Sequence, residues 1–510
     1  MSPYDLIALS PEFILTLTGV ILMMMGAFRK EGAEHWCSTI ALAGLFAATC
    51  ALIFGRPVSG FVFGGMFSVD PFGRYFSLLF YLITALVALA SVDYVRRERL
   101  AVGEYYALLV FATVGMGLMA SGNELILIFI GLEISSLSSY ILVGFRRDVP
   151  NSSEAALKYF LLGSFATAFL LYGIALLFGV TGSTRLTEIR AVLHGGTHPV
   201  SASSPAVSRL ATVALRHVQL SWQEAGVPSE LLGMAIALIC VGLAFKISAA
   251  PFQAWTPDVY QGAPAPVAAF LSTGPKAAAF AAFLRIFEYS LPASAAQWTM
   301  LLWASSALTM FIGNLAGLWQ SNLKRLLAYS SIAHAGYMLV AFTAHSQEGI
   351  AAILFYLGAY AFMNIGAFVV VSHLSRRGER YLELDDYAGL GYRSPAMAAC
   401  LSIFLMSLIG IPLTGGFLGK FYIFRAALRS DLIWLTILGV LNSAVAAYYY
   451  LRILVSMYMQ ESQSDMPVER PGAATQAVLA LCTIATFVLG IFPQVILHLV
   501  QRAAQWFPNG

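Results

Sequence analysis

The sequence predicts an all-α polytopic membrane protein with about fourteen transmembrane helices. Of its 510 residues 59% are hydrophobic and only 11% are charged, against about 25% charged residues in soluble domains. Apolar runs of about 20 residues, the length that spans a bilayer as a helix, recur along nearly the whole chain. Backbone polar groups are satisfied in hydrocarbon only by helices or closed barrels, and these runs are too long for barrel strands. We therefore expect one membrane domain over residues 1–510.

The apolar runs define the predicted helices in order. The first run lacks a basic segment before it and is long enough to span, so it predicts a membrane helix and not a cleaved signal. The predicted spans are 5–28, 36–54, 71–92, 104–120, 124–145, 155–180, 230–254, 264–288, 298–319, 325–344, 348–374, 395–428, 432–459 and 474–500.

Cations fall mainly in alternate short loops, those after helices 1, 3, 5, 9 and 11. The remaining short loops hold few cations beyond Arg56, Arg74 and Arg429. By the positive-inside rule the cation-rich loops face the cytoplasm and both termini face away from it. The cation-rich loops hold Arg29, Lys30, Arg96, Arg97, Arg99, Arg146, Arg147, Lys324, Arg325, Arg376, Arg377, Arg380 and Arg393.

One long connection, residues 181–229, predicts an outer-face loop with two short surface helices, LTEIRAVLH and AVSRLATVALRHV. Its histidines, His194, His198 and His217, could bind a metal, although scattered loop histidines are more often only solvated. The five cysteines lie far apart without metal-ligand or redox spacing. We therefore expect neither an iron–sulfur site nor a disulfide framework in this chain.

Ionisable residues in the middle of a span cost about 2.5 to 3.5 kcal/mol each on insertion scales and usually mark a pathway. Glu133 lies nine residues after Glu124 and thirteen before Arg146, which places it near the midplane. A protonated, hydrogen-bonded glutamate is the alternative. Lys246 is also deep if its helix continues, whereas a helix that stops at Pro251 would let it snorkel to the interface.

Four further residues complete the candidate set. Lys276 and Lys420 lie far from the ends of their predicted spans, so a purely structural role is the weaker interpretation. Lys158 follows Glu154 by four residues, so a surface ion pair on one helix is an open alternative. His334 could relay protons near neutral pH or be a hydrogen-bonded core histidine. Asp258 and Arg285 lie near segment ends, and we expect them to be interfacial.

Prolines predict that two of the spans are broken. Pro251 in the seventh span and Pro412 in the twelfth remove backbone donors. Unwound backbone at membrane depth persists only inside protein or beside water, so each break predicts a polar cavity near a lysine. Broken helices at corresponding places indicate inverted repeats, here helices 4–8 (residues 104–288) and 9–13 (residues 298–459). The match is imperfect, because one lysine precedes its proline and the other follows it.

The candidate residues favour proton transfer. No nucleophile elbow, phosphate loop or metal cluster accompanies them, so bond-making catalysis in this chain has no support. A buried lysine releases its proton more readily, and a nearby carboxylate restores it. Movement of Glu133 relative to Lys246 would thus switch that lysine, and Lys276, His334 and water would carry the proton to Lys420.

Four segments resemble the antiporter-like subunits of respiratory complex I, a bacterial NADH-quinone oxidoreductase. They are FKISAAPFQAWTPDVYQGAPAPVAAFLSTGPKAAAF, NELILIFIGLEISSLSSYIL, LKRLLAYSSIAHAGYML and IPLTGGFLGKFYIF. The resemblance covers the chain from end to end. It implies fourteen helices with two inverted five-helix repeats, and a proton-pumping module of the membrane arm.

The resemblance also implies roles at matching positions. Lys158 matches a family lysine too. The implied roles are Glu133 as modulator of the pump lysine Lys246, Lys276 as central relay, His334 as a further link and Lys420 as terminal proton carrier.

The same resemblance implies partners and a location. The partners are other membrane-arm subunits, including neighbouring antiporter-like subunits, together with membrane lipid and no nucleic acid. NADH, FMN, iron–sulfur clusters and quinone are expected on partner chains, with no cofactor in this one. The implied location is the bacterial inner membrane.

Single features separate the groups within this family. Subunit M is expected to carry glutamate where Lys420 stands, and subunit L to continue into a long lateral helix after the final span, where this sequence ends at QRAAQWFPNG. Sodium/proton antiporters of the Mrp type share the patterns around Glu133 and Lys246 and remain an alternative. A non-pumping structural membrane subunit is the second alternative.

Overall fold

The structure is a computed structural model that describes residues 3–28, 33–55, 60–194, 229–461 and 469–508. These residues are almost entirely helical. The first half forms α1 (Pro3–Ala8), α2 (Ser10–Phe28), α3 (Ala33–Phe54), β1 (Gly60–Val62), β2 (Phe67–Val69), α4 (Pro71–Glu98), α5 (Val102–Ser121), α6 (Leu125–Val143), α7 (Pro150–Thr181), α8 (Leu186–Leu193), α9 (Ser229–Ile247) and α10 (Trp255–Gly262).

The second half is helical as well. Its first helix continues into a π-helical turn, Leu284–Ser290, and 3₁₀ turns occur in the described chain at Phe63–Gly65, Pro292–Ser294 and Leu384–Tyr387. Its helices are α11 (Ala265–Phe283), α12 (Ala295–Leu318), α13 (Leu323–Phe342), α14 (Gln347–Leu374), α15 (Leu390–Arg393), α16 (Pro395–Ile409), α17 (Gly415–Arg429), α18 (Ile433–Met459), α19 (Ala473–Ile491) and α20 (Gln494–Ala504).

Twelve helices in the described ranges are long and apolar enough to cross a membrane. Two further crossings complete the predicted count. The first is α13, which is 20 residues long and carries Lys324, Arg325 and His334, which lower its hydropathy. The second is the pair α16 and α17, each too short to span alone. The prediction of a polytopic helical protein with about fourteen crossings is confirmed.

Both predicted breaks are present. In the seventh span α9 ends at Ile247, α10 begins at Trp255, and the Ala250–Pro251 peptide between them is cis. Two hydroxyls of α12 satisfy the unwound backbone: Thr309 Oγ1 accepts from Ala250 N at 2.8 Å, and Ser305 Oγ donates to Ala250 O at 2.7 Å. The backbone N–H and C=O of Ala250 are therefore paired inside the protein, as membrane depth requires.

The twelfth span is interrupted by a different backbone feature. Here α16 ends at Ile409 and is followed by Gly410, which has φ of +96°, a left-handed conformation that glycine adopts without steric cost. Pro412 follows in the non-helical stretch before α17 begins at Gly415. Each break falls in the fourth helix of its predicted repeat. The assignment of two inverted repeats stays a prediction.

Some boundaries differ from the sequence prediction. The predicted span 474–500 is two helices, α19 and α20, because Pro493 lacks the backbone donor that a continuous helix needs. The predicted span 5–28 is likewise divided, into α1 and α2, just before Pro11. A short antiparallel hairpin of β1 and β2 was not predicted. Of the two surface helices predicted in the loop 181–229, α8 is present and the second lies outside the described residues.

The cation-rich loops meet at one end of the bundle. Arg97 in the last turn of α4, Arg147 after α6 and Arg377 after α14 line a single cavity together with Met23 near the end of α2. Because these loops are separated by even numbers of crossings, their meeting supports the predicted helix count. Arg29, Lys30 and Arg56 lie outside the described residues.

The centre of the bundle is formed by α11 and α14, which are almost entirely buried. The first carries Lys276 and the second carries Tyr356 and Tyr360. Helix α11 packs against α4, α5, α9 and α14, whereas α14 packs against α13, α16, α17 and α19. Side chains on these two helices therefore lie far from the lipid-facing surface.

Candidate functional site

Lys246 projects from the last turn of α9 towards α6. Its Nζ donates to Ser136 Oγ at 2.7 Å and to Tyr140 Oη at 3.1 Å. Glu133 lies three residues before Ser136 and seven before Tyr140, on the same face of α6. These contacts place the lysine against the helix that carries its predicted modulator, and it does not snorkel towards a lipid interface.

Glu133 forms no ion pair with Lys246 in this arrangement. Its Oε1 atom is buried without a hydrogen-bond partner among the described residues. The lysine instead holds two neutral hydroxyls. The structure thus contains the arrangement in which the side chains of Glu133 and Lys246 are not paired.

An aromatic cage surrounds the Lys246 ammonium, which sequence reasoning missed. Its Nζ lies 5.2 Å from the ring centroid of Tyr140, 5.8 Å from that of Tyr159 and 5.6 Å from that of Phe245. Trp255, the first residue after the break, stacks on Tyr159 with centroids 4.5 Å apart and donates to Phe245 O at 3.0 Å. Aromatic faces stabilise a cation in a site poor in water.

Lys276 lies deep in the centre of the bundle, with only 2% of the residue exposed. Its Nζ donates to the carbonyl oxygen of Ser331 at 2.8 Å and also to the Ser331 hydroxyl. No carboxylate contacts it among the described residues. The described partners of this buried amine are therefore neutral acceptors, without a counter-charge beside them.

His334 follows Ser331 by one helical turn and is bonded through both ring nitrogens. Nδ1 lies 2.5 Å from Tyr356 Oη, and Nε2 lies 3.2 Å from Tyr450 Oη. Tyr450 Oη is in turn bonded to the Ser330 hydroxyl. A core histidine with both nitrogens satisfied fits the structural alternative, and the same bonds join it to a row of hydroxyls that can pass protons.

The Lys420 side chain hydrogen-bonds the C-terminal end of α16, the first half of the broken twelfth span. Its Nζ donates to the carbonyl oxygens of Leu408 at 3.0 Å and Ile409 at 2.9 Å, the last residues of α16, and to Ser443 Oγ at 2.8 Å. The last carbonyls of a helix lack intrahelical donors and carry partial negative charge. The break therefore creates the acceptor set that holds this buried ammonium.

The ring of Tyr337 lies between Lys420 and the central histidine. The Lys420 ammonium lies 4.7 Å from the ring centroid of Tyr337, and that ring lies 5.6 Å from the His334 ring. Lys276, His334 and Lys420 are thus brought into one buried polar row. In the described residues no chain of hydrogen bonds extends this row to Lys246.

Lys158 lies at the surface of the described chain and pairs with two carboxylates. Its Nζ lies 2.8 Å from Glu154 Oε1 and 3.0 Å from Asp258 Oδ2, and its side chain is 44% exposed. Asp258 also binds Arg325 at 2.6 Å. The surface ion pair predicted as the alternative is present, and Asp258 ties α7 and α13 to the short helix α10.

A buried ion cluster around Glu379 was missed by sequence reasoning. Glu379 Oε2 lies 3.0 Å from Arg146 Nη2 and 2.8 Å from Lys324 Nζ, and Oε1 accepts from Tyr94 Oη and Ala265 N at 2.8 Å each. Burial raises the pKa of this carboxyl, but the charges of Lys324 and Arg146 outweigh it and lower its pKa overall. Glu379 is therefore held as a carboxylate.

The same cluster holds one end of the first broken helix. Lys324 Nζ donates to Gln261 O at 2.8 Å and also to Ala263 O, at the end of α10. Ala265, which donates to Glu379, begins α11. The cluster thus joins the half-helix α10 and the start of α11 to α13, the helix that carries His334.

Arg285 is also more buried than its position near a segment end suggests. Its side chain is inaccessible and lies 2.7 Å from Asp70 Oδ2, and it also donates to Ala120 O. Asp70 and the end of α5 supply its acceptors inside the bundle, and the expectation that it lies at the depth of the interface stays a prediction. Asp70 itself caps α4 by accepting from Gly73 N.

Among the described residues no group of three or more His, Cys, Asp or Glu side chains is arranged to hold a metal. His194 ends α8, and His198 and His217 lie outside the described residues. These geometries define a class: a polytopic helical membrane protein with two broken helices and lysines buried beside polar acceptors.

The comparisons with known proteins assign this class to a family. The family model "NADH:quinone oxidoreductase/Mrp antiporter, TM" matches residues 122–446. NADH-quinone oxidoreductase subunit N 1 of Solibacter usitatus is 48% identical over 504 residues, which cover 99% of this chain and 98% of the relative. The chain belongs to the NADH:quinone oxidoreductase/Mrp antiporter family, in the group of subunit N, and is an antiporter-like membrane subunit of complex I.

Solved structures agree with this assignment. A chain of respiratory complex I from Thermus thermophilus is 34% identical with a TM-score of 0.76, over 96% of this chain and 98% of that chain. A chain of the Mrp complex from Dietzia sp. DQ12-45-1b has a TM-score of 0.80 at 20% identity, over 99% of this chain and 98% of that chain. The second likeness shows the shared fold alone, so the Mrp alternative is the weaker one.

Proposed function

We propose that this chain moves protons across the membrane as one module of NADH-quinone oxidoreductase. Protons pass through Lys246, Lys276, His334 and Lys420, with Glu133 modulating Lys246, and the movement is coupled to quinone reduction elsewhere in the complex. The observation that carries the proposal is the buried row from Lys276 through His334 to Lys420. Its lysines are held by carbonyl and hydroxyl oxygens rather than by carboxylates.

The chemistry of the row follows from its partners. A carboxylate partner stabilises the charged form of a lysine, so the lysine keeps its proton. A buried lysine with only neutral acceptors lacks that stabilisation, and because burial opposes the charge it can exist in either the charged or the neutral form. The hydroxyls of Tyr356 and Tyr450 at the two nitrogens of His334 can each donate or accept. A proton can therefore leave one nitrogen as another arrives at the opposite nitrogen.

The Lys246 site supplies the switch. In the present arrangement its ammonium depends on the hydroxyls of Ser136 and Tyr140 and on three aromatic rings. Approach of ionised Glu133 would stabilise the ammonium, and withdrawal would favour loss of its proton. The unpartnered Oε1 of Glu133 is free to accept such a bond.

The proposal places the redox chemistry on partner subunits. NADH, FMN, iron–sulfur clusters and quinone are bound there, and this chain contributes no redox step. Its neighbours are other membrane-arm subunits, including antiporter-like ones. The location is the bacterial inner membrane, with both termini on the non-cytoplasmic side as the cation-rich loops predict.

We expect Lys420→Met to lower proton pumping by about 100-fold, the lower range for loss of a proton-transfer group. Methionine fills the space but cannot hold a proton or bind the carbonyls of α16. Arg425→Gln, on the same helix but exposed, is the matched control and should leave pumping unchanged. The measurement is proton uptake per NADH oxidised by the assembled complex in vesicles. Equal pumping by the two variants would contradict the role of Lys420.

Two other functions have distinct signatures. An Mrp-type sodium/proton antiporter would copurify without NADH-oxidising and quinone-site subunits, so the mass-spectrometric identity of copurifying chains separates it from complex I. A non-pumping structural subunit would retain both assembly and pumping when its buried lysines are replaced.

A further inference from the structure

A large arginine-rich cavity lies where the cation-rich loops meet. It has a volume of about 1250 Å³ and is bounded by the ends of α2, α4 and α6, the start of α5 and the loop after α14. Its lining contains four carboxylates, Glu98, Glu104, Asp148 and Glu469, and seven arginines, Arg97, Arg99, Arg146, Arg147, Arg376, Arg377 and Arg380.

Four of these arginines have no counter-charge among the residues that the structure describes. Arg99, Arg147, Arg377 and Arg380 are exposed and form no ion pair with any described residue. By contrast, Arg97 pairs with Glu98 and Arg376 with Glu469. Four unpaired guanidinium groups around one cavity create a field that attracts an anion.

A buried arginine gives independent evidence for an anionic ligand. The Arg146 side chain is only 8% exposed and lines the cavity, and one of its nitrogens binds Glu379. Its Nε and Nη1 atoms have no hydrogen-bond partner among the described residues. Unsatisfied donors of a buried guanidinium are costly, and phosphate oxygens are well suited to accept from them.

Part of the cavity lining is apolar. It is formed by Met23, Leu108 and Ile141, of which Met23 is 42% and Ile141 is 53% exposed. Met23 lies five residues before the end of α2, about 7.5 Å deeper along the helix axis than the loops. The cavity therefore changes from arginines at the helix ends to apolar side chains further into the spans.

We propose that this cavity binds an anionic phospholipid. The headgroup phosphate lies among the arginines, and an acyl chain lies along Met23, Leu108 and Ile141. Basic pockets between transmembrane helices suit anionic lipid headgroups. A soluble anion such as inorganic phosphate would use the arginines alone and leave the apolar residues of the lining in contact with water, so the arginines and the apolar residues together favour a lipid.

Photocrosslinking of the assembled complex tests the proposal. The probe is phosphatidylglycerol with a photoreactive acyl chain, titrated into nanodiscs that contain the complex. We expect labelled peptides from 141–149 and 376–381. The variant Arg147→Gln/Arg377→Gln/Arg380→Gln should need about 100-fold more probe for half-maximal labelling, since each arginine near a membrane surface contributes about a factor of five.

Matched variants and a second lipid sharpen the test. Arg502→Gln removes an exposed arginine outside the cavity and should leave labelling unchanged. Met23→Gln/Ile141→Gln should weaken labelling while the arginines remain. Equal labelling by a phosphatidylcholine probe would overturn the proposal, as would complete displacement by inorganic phosphate or crosslinks to an acidic segment of a partner subunit in place of lipid.

Discussion

Lys246→Ala is expected to abolish proton pumping by the assembled complex. Alanine removes the ammonium that bonds Ser136 and Tyr140 and leaves the aromatic cage without a cation. The proposed switch with Glu133 then has no proton to hold or release. The measurement is the ratio of protons moved to NADH oxidised in sealed vesicles, together with the amount of complex recovered.

The variant Lys246→Arg distinguishes two roles for Lys246, a residue that gains and loses a proton and a residue that only supplies a permanent positive charge. Arginine keeps the positive charge and the cation–π contacts but stays protonated at any physiological pH. We expect assembly to be preserved and pumping to be lost. If Lys246→Arg pumped normally, a permanent cation would suffice and proton release at this position would be contradicted. Arg502→Gln, an exposed charge far from the row in sequence, is the control for charge removal in general.

Glu379→Gln is expected to destabilise the chain by about 3–5 kcal/mol, the usual cost of removing one partner from a buried ion pair. The glutamine leaves the positive charges of Lys324 and Arg146 facing each other without a carboxylate. Because the cluster holds the end of α10 and the start of α11, loss of assembled complex should accompany the loss of stability. The measurement is unfolding of the purified complex in mild detergent.

Glu348→Gln is the matched control, because Glu348 is 43% exposed and pairs with the exposed arginines Arg425 and Arg429. Its removal should change stability little. The pKa of Glu379 is lowered from 4.5, so its stabilising charge is fully present above that pH and is lost as pH falls through the lower, folded value. Equal stability of the two variants at pH 7 would contradict the buried cluster.

The sequence predicted the elements that physical chemistry makes conspicuous in a membrane. Lysines within apolar runs are rare and costly, so Lys246, Lys276 and Lys420 stood out, and prolines within spans marked both breaks. The contacts of Lys420 with the carbonyls of α16 follow directly from such a break. The observed helix ends explain why Lys246 precedes Pro251 whereas Lys420 follows Pro412. Lys246 reaches α6, whereas Lys420 returns to its own broken span.

Other parts of the site had no comparable signal. Glu379 stands in a loop rich in arginine, where a carboxylate is expected to be solvated, and only the fold reveals that Arg146 and Lys324 enclose it. Ser331 and Tyr450 are ordinary residues in a span, so their role as partners of the row depends on which helices pack together. The burial of Arg285 depends on its ion pair with Asp70, which lies 215 residues away in sequence and could not be paired with it from the sequence alone.

The central claim is that protons pass along the buried row between Lys276 and Lys420. The most direct test is the ratio of protons pumped to NADH oxidised by the complex that carries Lys276→Met. We predict a clear fall in this ratio with the complex fully assembled and its quinone site intact. An unchanged ratio would show that protons do not use this row.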